Sequence, residues 1–104
     1  MRFLISSNSK FPPPPEAIVG LFDAMIGWVA KYKSKWDTIW ASAGSPGGGG
    51  ILNVSSLEEL DAIMAEFPFG PFSDTQVVPL VDLTEALQRG KKAALAMMPG
   101  AGGR

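Results

Sequence analysis

The stretch Trp36-Asp37-Thr38-Ile39-Trp40-Ala41-Ser42-Ala43-Gly44-Ser45-Pro46-Gly47-Gly48-Gly49-Gly50-Ile51-Leu52-Asn53-Val54 decides the fold. Its two ends, Trp36 to Ala43 and Gly50 to Val54, carry the aromatic and branched residues of strands. Gly44 to Gly50 between them is turn chemistry throughout, so the two strands should form a hairpin. Helical patterns lie on either side. Upstream, Ile18, Leu21, Phe22, Met25, Val29 and Tyr32 recur at helical spacing behind a start at Pro15 or Glu16, and Lys31, Lys33 and Lys35 suit the far end. Downstream, Ser56 and Glu59 make a capping-box signature ahead of the apolar face Leu57, Leu60, Ile63, Met64 and Phe67. Beyond the helices, Met1 to Asn8 and Gln76 to Val81 read as strands. The run Pro12 to Pro15 breaks the first of them, because prolines donate no ladder hydrogen bonds.

The order is β-α-β-β-α-β, an α+β, ferredoxin-like arrangement, followed by a weaker helix over 83–98 that Gly90 interrupts. A single domain over 1–98, with its core in 1–81, is expected to end in a flexible tail over 99–104. Two helices cover only one face of a four-stranded sheet. Alternation assigns Leu4, Ser6, Asn8, Trp36, Thr38, Trp40, Ser42, Ile51, Asn53, Gln76, Val78 and Leu80 to the other face. That set carries no charge, so two subunits are expected to pair face to face around a cavity lined by these side chains.

Composition narrows the function. The 104 residues include 9 Lys plus Arg and 10 Asp plus Glu, a net charge of −1, without the basic excess of a nucleic-acid binder. Hydrophobic residues make up 46% and charged residues 18%, which excludes disorder and points to apolar surface hidden in an oligomer or a ligand pocket. Cys and His both number 0, which removes disulfides, thiolate nucleophiles, zinc sites, catalytic triads and His-ligated haem. No metal site is expected. Acid–base chemistry falls to Asp, Glu, Lys, Tyr32 or water. The apolar run Phe3-Leu4-Ile5 is far short of a signal-peptide core, and no stretch approaches the roughly 18 residues of a membrane span. A soluble, cytoplasmic protein without membrane contact is the expectation.

Three segments resemble the muconolactone delta-isomerase family. Trp36 to Gly44 is similar to its second strand, with two tryptophans four apart and a closing Ala-Gly. Phe67-Pro68-Phe69-Gly70-Pro71-Phe72-Ser73-Asp74-Thr75-Gln76-Val77 looks like the segment before its last strand, a Pro-x-x-Pro-aromatic-x-Asp pattern, and Val54 to Leu60 is similar to the entry of its second helix. The resemblance spans roughly residues 1–81. It implies a dimeric α+β barrel, higher oligomers, and an intramolecular proton shift on a small lactone without metal or organic cofactor. The same barrel type also resembles cofactor-independent monooxygenases.

The candidate base is Asp23, on the first helix, where the resembling enzymes also place acids. A carboxylate at the mouth of an apolar cavity has its pKa raised by desolvation and can take a proton alpha to a carbonyl. Against this, Asp23 lies about 140° around the helix from Ile18, beside the small residues Gly20, Ala24 and Gly27, as a solvated surface acid would. Asp74 suits a turn or cap, Asp37 points away from the expected cavity, and Tyr32 belongs to the core stripe. Trp36 and Trp40 make a platform for a flat ligand, with Ser6, Asn8, Thr38, Ser42, Asn53 and Gln76 as hydrogen-bonding positions and Phe72 as a further wall. The alternative is that the indoles fill a dimer core. Gly47 to Gly50 precedes a strand, not a helix, which removes a phosphate loop and leaves a mobile hairpin over the cavity or a plain flexible turn. Phe11 to Pro15 resembles ligands of proline-recognising domains, or serves as a rigid connector.

The functional expectation is a cofactor-free isomerase or cyclase acting by proton transfer on a small planar carbonyl or lactone compound, in aromatic or polyketide metabolism. A non-catalytic carrier of a hydrophobic metabolite and a cofactor-independent monooxygenase are the alternatives. The partners implied are a small-molecule ligand and a second copy of the chain.

Overall fold

In the computed structural model, which describes residues 1–100, the chain folds as β1 (Arg2–Ser9), α1 (Ile18–Lys31), β2 (Trp36–Ala41), β3 (Gly47–Asn53), α2 (Leu57–Ala65), β4 (Ser73–Leu80) and α3 (Leu83–Ala96). Single 3-10 turns at Pro15–Ala17, Lys33–Lys35 and Gly70–Phe72 fill the connections. The strands form one antiparallel sheet in the order β2-β3-β1-β4, the ferredoxin-like topology expected from the sequence. Of the tail expected over 99–104, residues 101–104 lie outside the described residues.

The hairpin departs from its sequence reading in two ways. First, the glycine run is strand and not turn. β3 begins at Gly47, and the reversal is confined to residues 42–46, where Gly44 takes φ 80° and the Ser42 N–H donates to the Gly47 carbonyl at 2.9 Å. The four glycines sit between two neighbouring strands with an indole laid over the strand on each side. A Cβ on Gly50 would lie 2.6 Å from the Thr38 carbonyl oxygen and 2.7 Å from the Trp36 ring, and one on Gly49 would lie 3.0 Å from the Trp40 ring. The glycines make room for rings rather than for motion.

Second, Trp36 lies on the opposite face from Thr38 and Trp40. Trp36 pairs with Leu52 and Thr38 with Ile51, so Asp37 is an extra residue in β2. Such a bulge reverses the alternation on its two sides. Trp36 therefore faces the helices, its ring 5.7 Å from that of Trp28 at 68°, while Thr38 and Trp40 remain on the open face.

The core lies between the sheet and the two helices, and comprises Phe3, Ile5, Trp28, Leu52, Val54 and Ile63. Trp28 is its hub. Its ring meets those of Tyr32, Trp36 and Phe67 at 6.2, 5.7 and 5.2 Å, and its Nε1–H donates to the Ile63 carbonyl at 3.0 Å. One side chain thus fastens α1 to β2 and α2. Below it, the Tyr32 hydroxyl donates to the Glu66 carboxylate, which Lys31 also meets at 3.0 Å. Pro79 is tolerated in β4 because that strand is at the sheet edge.

At the start of α2, Ser56 accepts from the Glu59 N–H at 3.1 Å, half of the expected capping box. The Glu59 carboxylate turns instead to Lys35, at 2.8 Å, and to the Ser55 hydroxyl, at 2.6 Å. Lys35 first, then Ser55, hold its carboxyl down to about 2 from the ordinary 4.5. A carboxyl depressed on folding contributes stability that is complete above pH 4.5 and is lost as pH falls toward 2. Glu59→Gln is therefore expected to flatten the fall in melting temperature across that window, with little change in its slope at higher pH. Thermal melts of both proteins across the window test this.

α3 stands apart. It runs unbroken through Gly90, with Asp82 accepting from the Glu85 N–H at 3.0 Å as its cap, and none of its side chains is buried. The molecule measures 69 × 26 × 22 Å with a radius of gyration of 19.1 Å, against about 13 Å for a compact chain of this size. No helix among the described residues is long and apolar enough to cross a membrane.

Candidate functional site

Three features of the sequence hollow out the space between the sheet and α1. Alternation along β1 puts Ile5, Ser7 and Ser9 on the helix side, Gly48 opposite Ser7 brings no side chain there, and large rings on α1 and after α2 hold the layers apart. The result is a cavity of about 450 Å³. This lies within the size range of small-molecule sites. Its floor is β1, the glycines of β3, and Ile39 and Ala41 of β2. Its roof is Ile18, Phe22, Met25 and Trp28 of α1, and Phe67, Phe69 and Phe72 close the side. Pro12, Pro13 and Pro46 border the end where Ser9 and Ser73 pair across β1 and β4.

Among the described residues no charged side chain lines this cavity. The polar side-chain groups in its wall are the hydroxyls of Ser7, Ser9 and Ser73 and the indoles of Trp28, Trp36 and Trp40. Ser7, 8% exposed, is a buried polar residue in an otherwise apolar core, with its Oγ 3.2 Å from the Thr75 Oγ1.

The cavity lies on the opposite side of the sheet from the face on which the sequence placed it. Of the positions singled out for ligand contact, Trp36, Trp40 and Phe72 border it. Ser6, Asn8, Thr38, Asn53 and Gln76 share the open face, in rows Thr38–Ile51–Leu4–Val78 and Trp40–Gly49–Ser6–Gln76. Ser42 lies in the turn after β2. Asp23 is exposed on α1, next to the cavity-lining Phe22, with the exposed apolar residues Val19 and Ile26 beside it. Asp74 stands opposite Asn8, its carboxylate 3.8 Å from the Lys10 Nζ.

Sequence reasoning missed Trp28, Ile5 and Ser7, though each had a signal. Trp28 follows Met25 by three and precedes Tyr32 by four, which places it on the same helical stripe, and Ser7 continues the alternation of Phe3 and Ile5. Phe67 continues the apolar stripe of the second helix, whereas Phe69 carried no spacing signal as a wall residue.

Comparison with known proteins agrees with this architecture. Among solved structures, a muconolactone isomerase crystal structure at 3.3 Å resolution superposes with TM-score 0.70 at 22% identity, over 79% of this chain and 90% of that one. The 5-chloro-2-hydroxyhydroquinone dehydrochlorinase of Burkholderia phenoliruptrix AC1100, in complex with 2,5-dihydroxybenzoquinone, superposes with TM-score 0.61 at 20% identity, over 82% of this chain and 98% of that one. No curated protein matches the sequence. The family model described as muconolactone delta-isomerase matches residues 29–86, from Trp28's neighbour Val29 through the hairpin, α2 and β4 into α3. That match covers more than half of the chain, and the protein therefore belongs to the muconolactone delta-isomerase family.

Proposed function

We propose that this protein is a cofactor-free isomerase or cyclase that shifts a proton on a small, planar, uncharged carbonyl or lactone compound, within aromatic or polyketide-type metabolism. The observation that carries the reading is the aromatic, uncharged cavity between the sheet and α1. A flat conjugated ligand finds ring surfaces there in Trp28, Trp36 and Phe72. A carboxylate would lose water without gaining a cation, at a cost of several kcal/mol, so the ligand is a neutral one. Family membership supports proton-shift chemistry, and the similar dehydrochlorinase binds a flat oxygenated ring. Asp23 is the proposed proton acceptor: it adjoins Phe22, on a helix face whose exposed apolar residues call for a cover that would desolvate it.

The assembly proposed is a homo-oligomer built from dimers. The open sheet face, with Trp40, Ile51, Leu4 and Val78 and no charge in its two middle rows, pairs with its own copy. The arm α3 seats on the helix layer of a second copy. Its stripe Leu83, Leu87, Gly90, Ala94 and Met97 matches in length the outer stripe Val19, Phe22, Ile26 and Ala30 of α1, both helices having 14 residues. Charge is complementary as well. The arm carries Arg89, Lys91 and Lys92 against the single acid Glu85, while the helix layer presents Asp23, Glu58 and Asp61.

A second reading, a carrier that holds a neutral metabolite unchanged, is favoured by the lack of any titratable side chain in the cavity wall. Titration of the tryptophan fluorescence with neutral aromatic ketones and lactones, followed by product analysis, separates the two. Turnover that Asp23→Asn abolishes while binding persists supports the isomerase. Ligand recovered unchanged supports the carrier, and an unaltered rate in Asp23→Asn removes that residue from the chemistry.

A further inference from the structure

The hydroxyls of the cavity wall are grouped in one place. Ser7, Ser9 and Ser73 stand together along the β1–β4 seam, Ser9 and Ser73 as register partners and Ser7 two residues farther in on the same side of β1. The aromatic wall, Trp28, Trp36 and Phe22, belongs to α1 and β2. A molecule in this space therefore meets rings from several sides, that of Phe72 beside Ser73 included, and hydroxyls along the β1–β4 seam.

Ser7 is the deepest of the three. Its hydroxyl is a single donor with two acceptor lone pairs, and its one partner, the Thr75 hydroxyl, occupies one of these. A buried hydroxyl rarely leaves its capacity unused, because burial without hydrogen bonds is costly. Ser7 belongs to the cavity wall, and its hydroxyl keeps capacity for a partner beyond Thr75. Hydroxyls exchange donor and acceptor roles freely but neutralise no charge. They suit a neutral phenol, ketone or quinone oxygen and do little for a carboxylate.

We infer that Ser7, extended toward the mouth by Ser9 and Ser73, is the specificity-determining residue of this site, selecting flat compounds that carry an uncharged oxygen on one edge and turning that edge toward the β1–β4 seam. The inference rests on the cavity being the ligand site. Thr75 is a positioning residue in this scheme, since its hydroxyl holds that of Ser7 and does not itself line the cavity.

Equilibrium dialysis with three probes of one shape tests it: indanone, the hydrocarbon indane and the anion indane carboxylate. The full-length protein is compared with Ser7→Ala and with Ser7→Cys, which keeps the volume and weakens the hydrogen bond. The wild type is expected to hold indanone about tenfold more tightly than indane, and the carboxylate least of all. Both variants should lose most of the preference for indanone over indane while holding indane as before. Ser7→Cys preserves the packing should Ser7→Ala disturb it. Equal binding of indanone and indane by the wild type, or a preference that survives in the variants, overturns the role of Ser7 and leaves the cavity as a plain apolar site. Failure of the wild type to bind any of the three overturns the cavity reading itself, and the inference with it.

Discussion

Gly50→Ala is expected to lower the melting temperature by about 15 °C or more. The added carbon would lie 2.6 Å from the Thr38 carbonyl oxygen and 2.7 Å from two atoms of the Trp36 ring. Neither neighbour can give way cheaply. The carbonyl belongs to the ladder between β2 and β3, and the indole is pinned against Trp28 in the core. Overpacking of a well-filled core commonly costs about 1–3 kcal/mol, and a clash with backbone on one side and a held ring on the other lies at or above that range. Set against a total stability of about 5–15 kcal/mol, such a loss leaves a marginal fold. The control is Gly20→Ala. A Cβ at Gly20 meets nothing within 4 Å, and alanine is a better helix former than glycine by about 1 kcal/mol, so this variant should melt higher than the wild type. Urea and thermal unfolding of the pair give the comparison. Equal melting temperatures for the two variants would show that β3 yields freely and that its glycines are not there to accommodate the indoles.

The second large effect concerns the arm. Leu83→Glu combined with Leu87→Glu is expected to weaken self-association by at least a thousandfold, read as a fall in molar mass by sedimentation at micromolar protein. Leu83 and Leu87 are 71% and 63% exposed in the isolated subunit. Each leucine covered by a partner contributes about 1.5–3 kcal/mol, and a two-fold assembly uses both arms, so a thousandfold change lies well within what the interface supplies. The same variants should lose helix content, because a helix of 14 residues without tertiary packing is marginal in water. An unchanged mass together with unchanged circular dichroism would mean that α3 is stable as a free arm, and that assembly, if any, depends on the open sheet face alone.

The elements and their order were legible because they rest on periodicity. The helical stripe from Ile18 to Tyr32, the Ser56 cap and the two outer strands all lie within a few residues of where spacing places them. The hairpin was legible as a hairpin but not in detail. A glycine run signals a turn in most settings, and only the two rings stacked across it convert it to strand. The bulge at Asp37 has no compositional marker, yet it alone moves Trp36 from one face to the other. The cavity beneath α1 was not foreseen for a related reason. Sequence reasoning sought the face whose residues are uncharged, and the open face meets that test. The cavity, however, forms where side chains are missing from the sheet and large on the helix, which is a matter of volume that polarity does not report. Ser7 was overlooked on the same account, as a small residue at the end of the alternation of Phe3 and Ile5.

Pro79 lies in β4, the outermost strand beside β1. A proline there has no amide hydrogen to offer, so the margin of the sheet is a poor template for lateral growth by another chain. At this margin, contact with another chain is thereby left to side chains and not to the strand-by-strand extension that ends in fibrils.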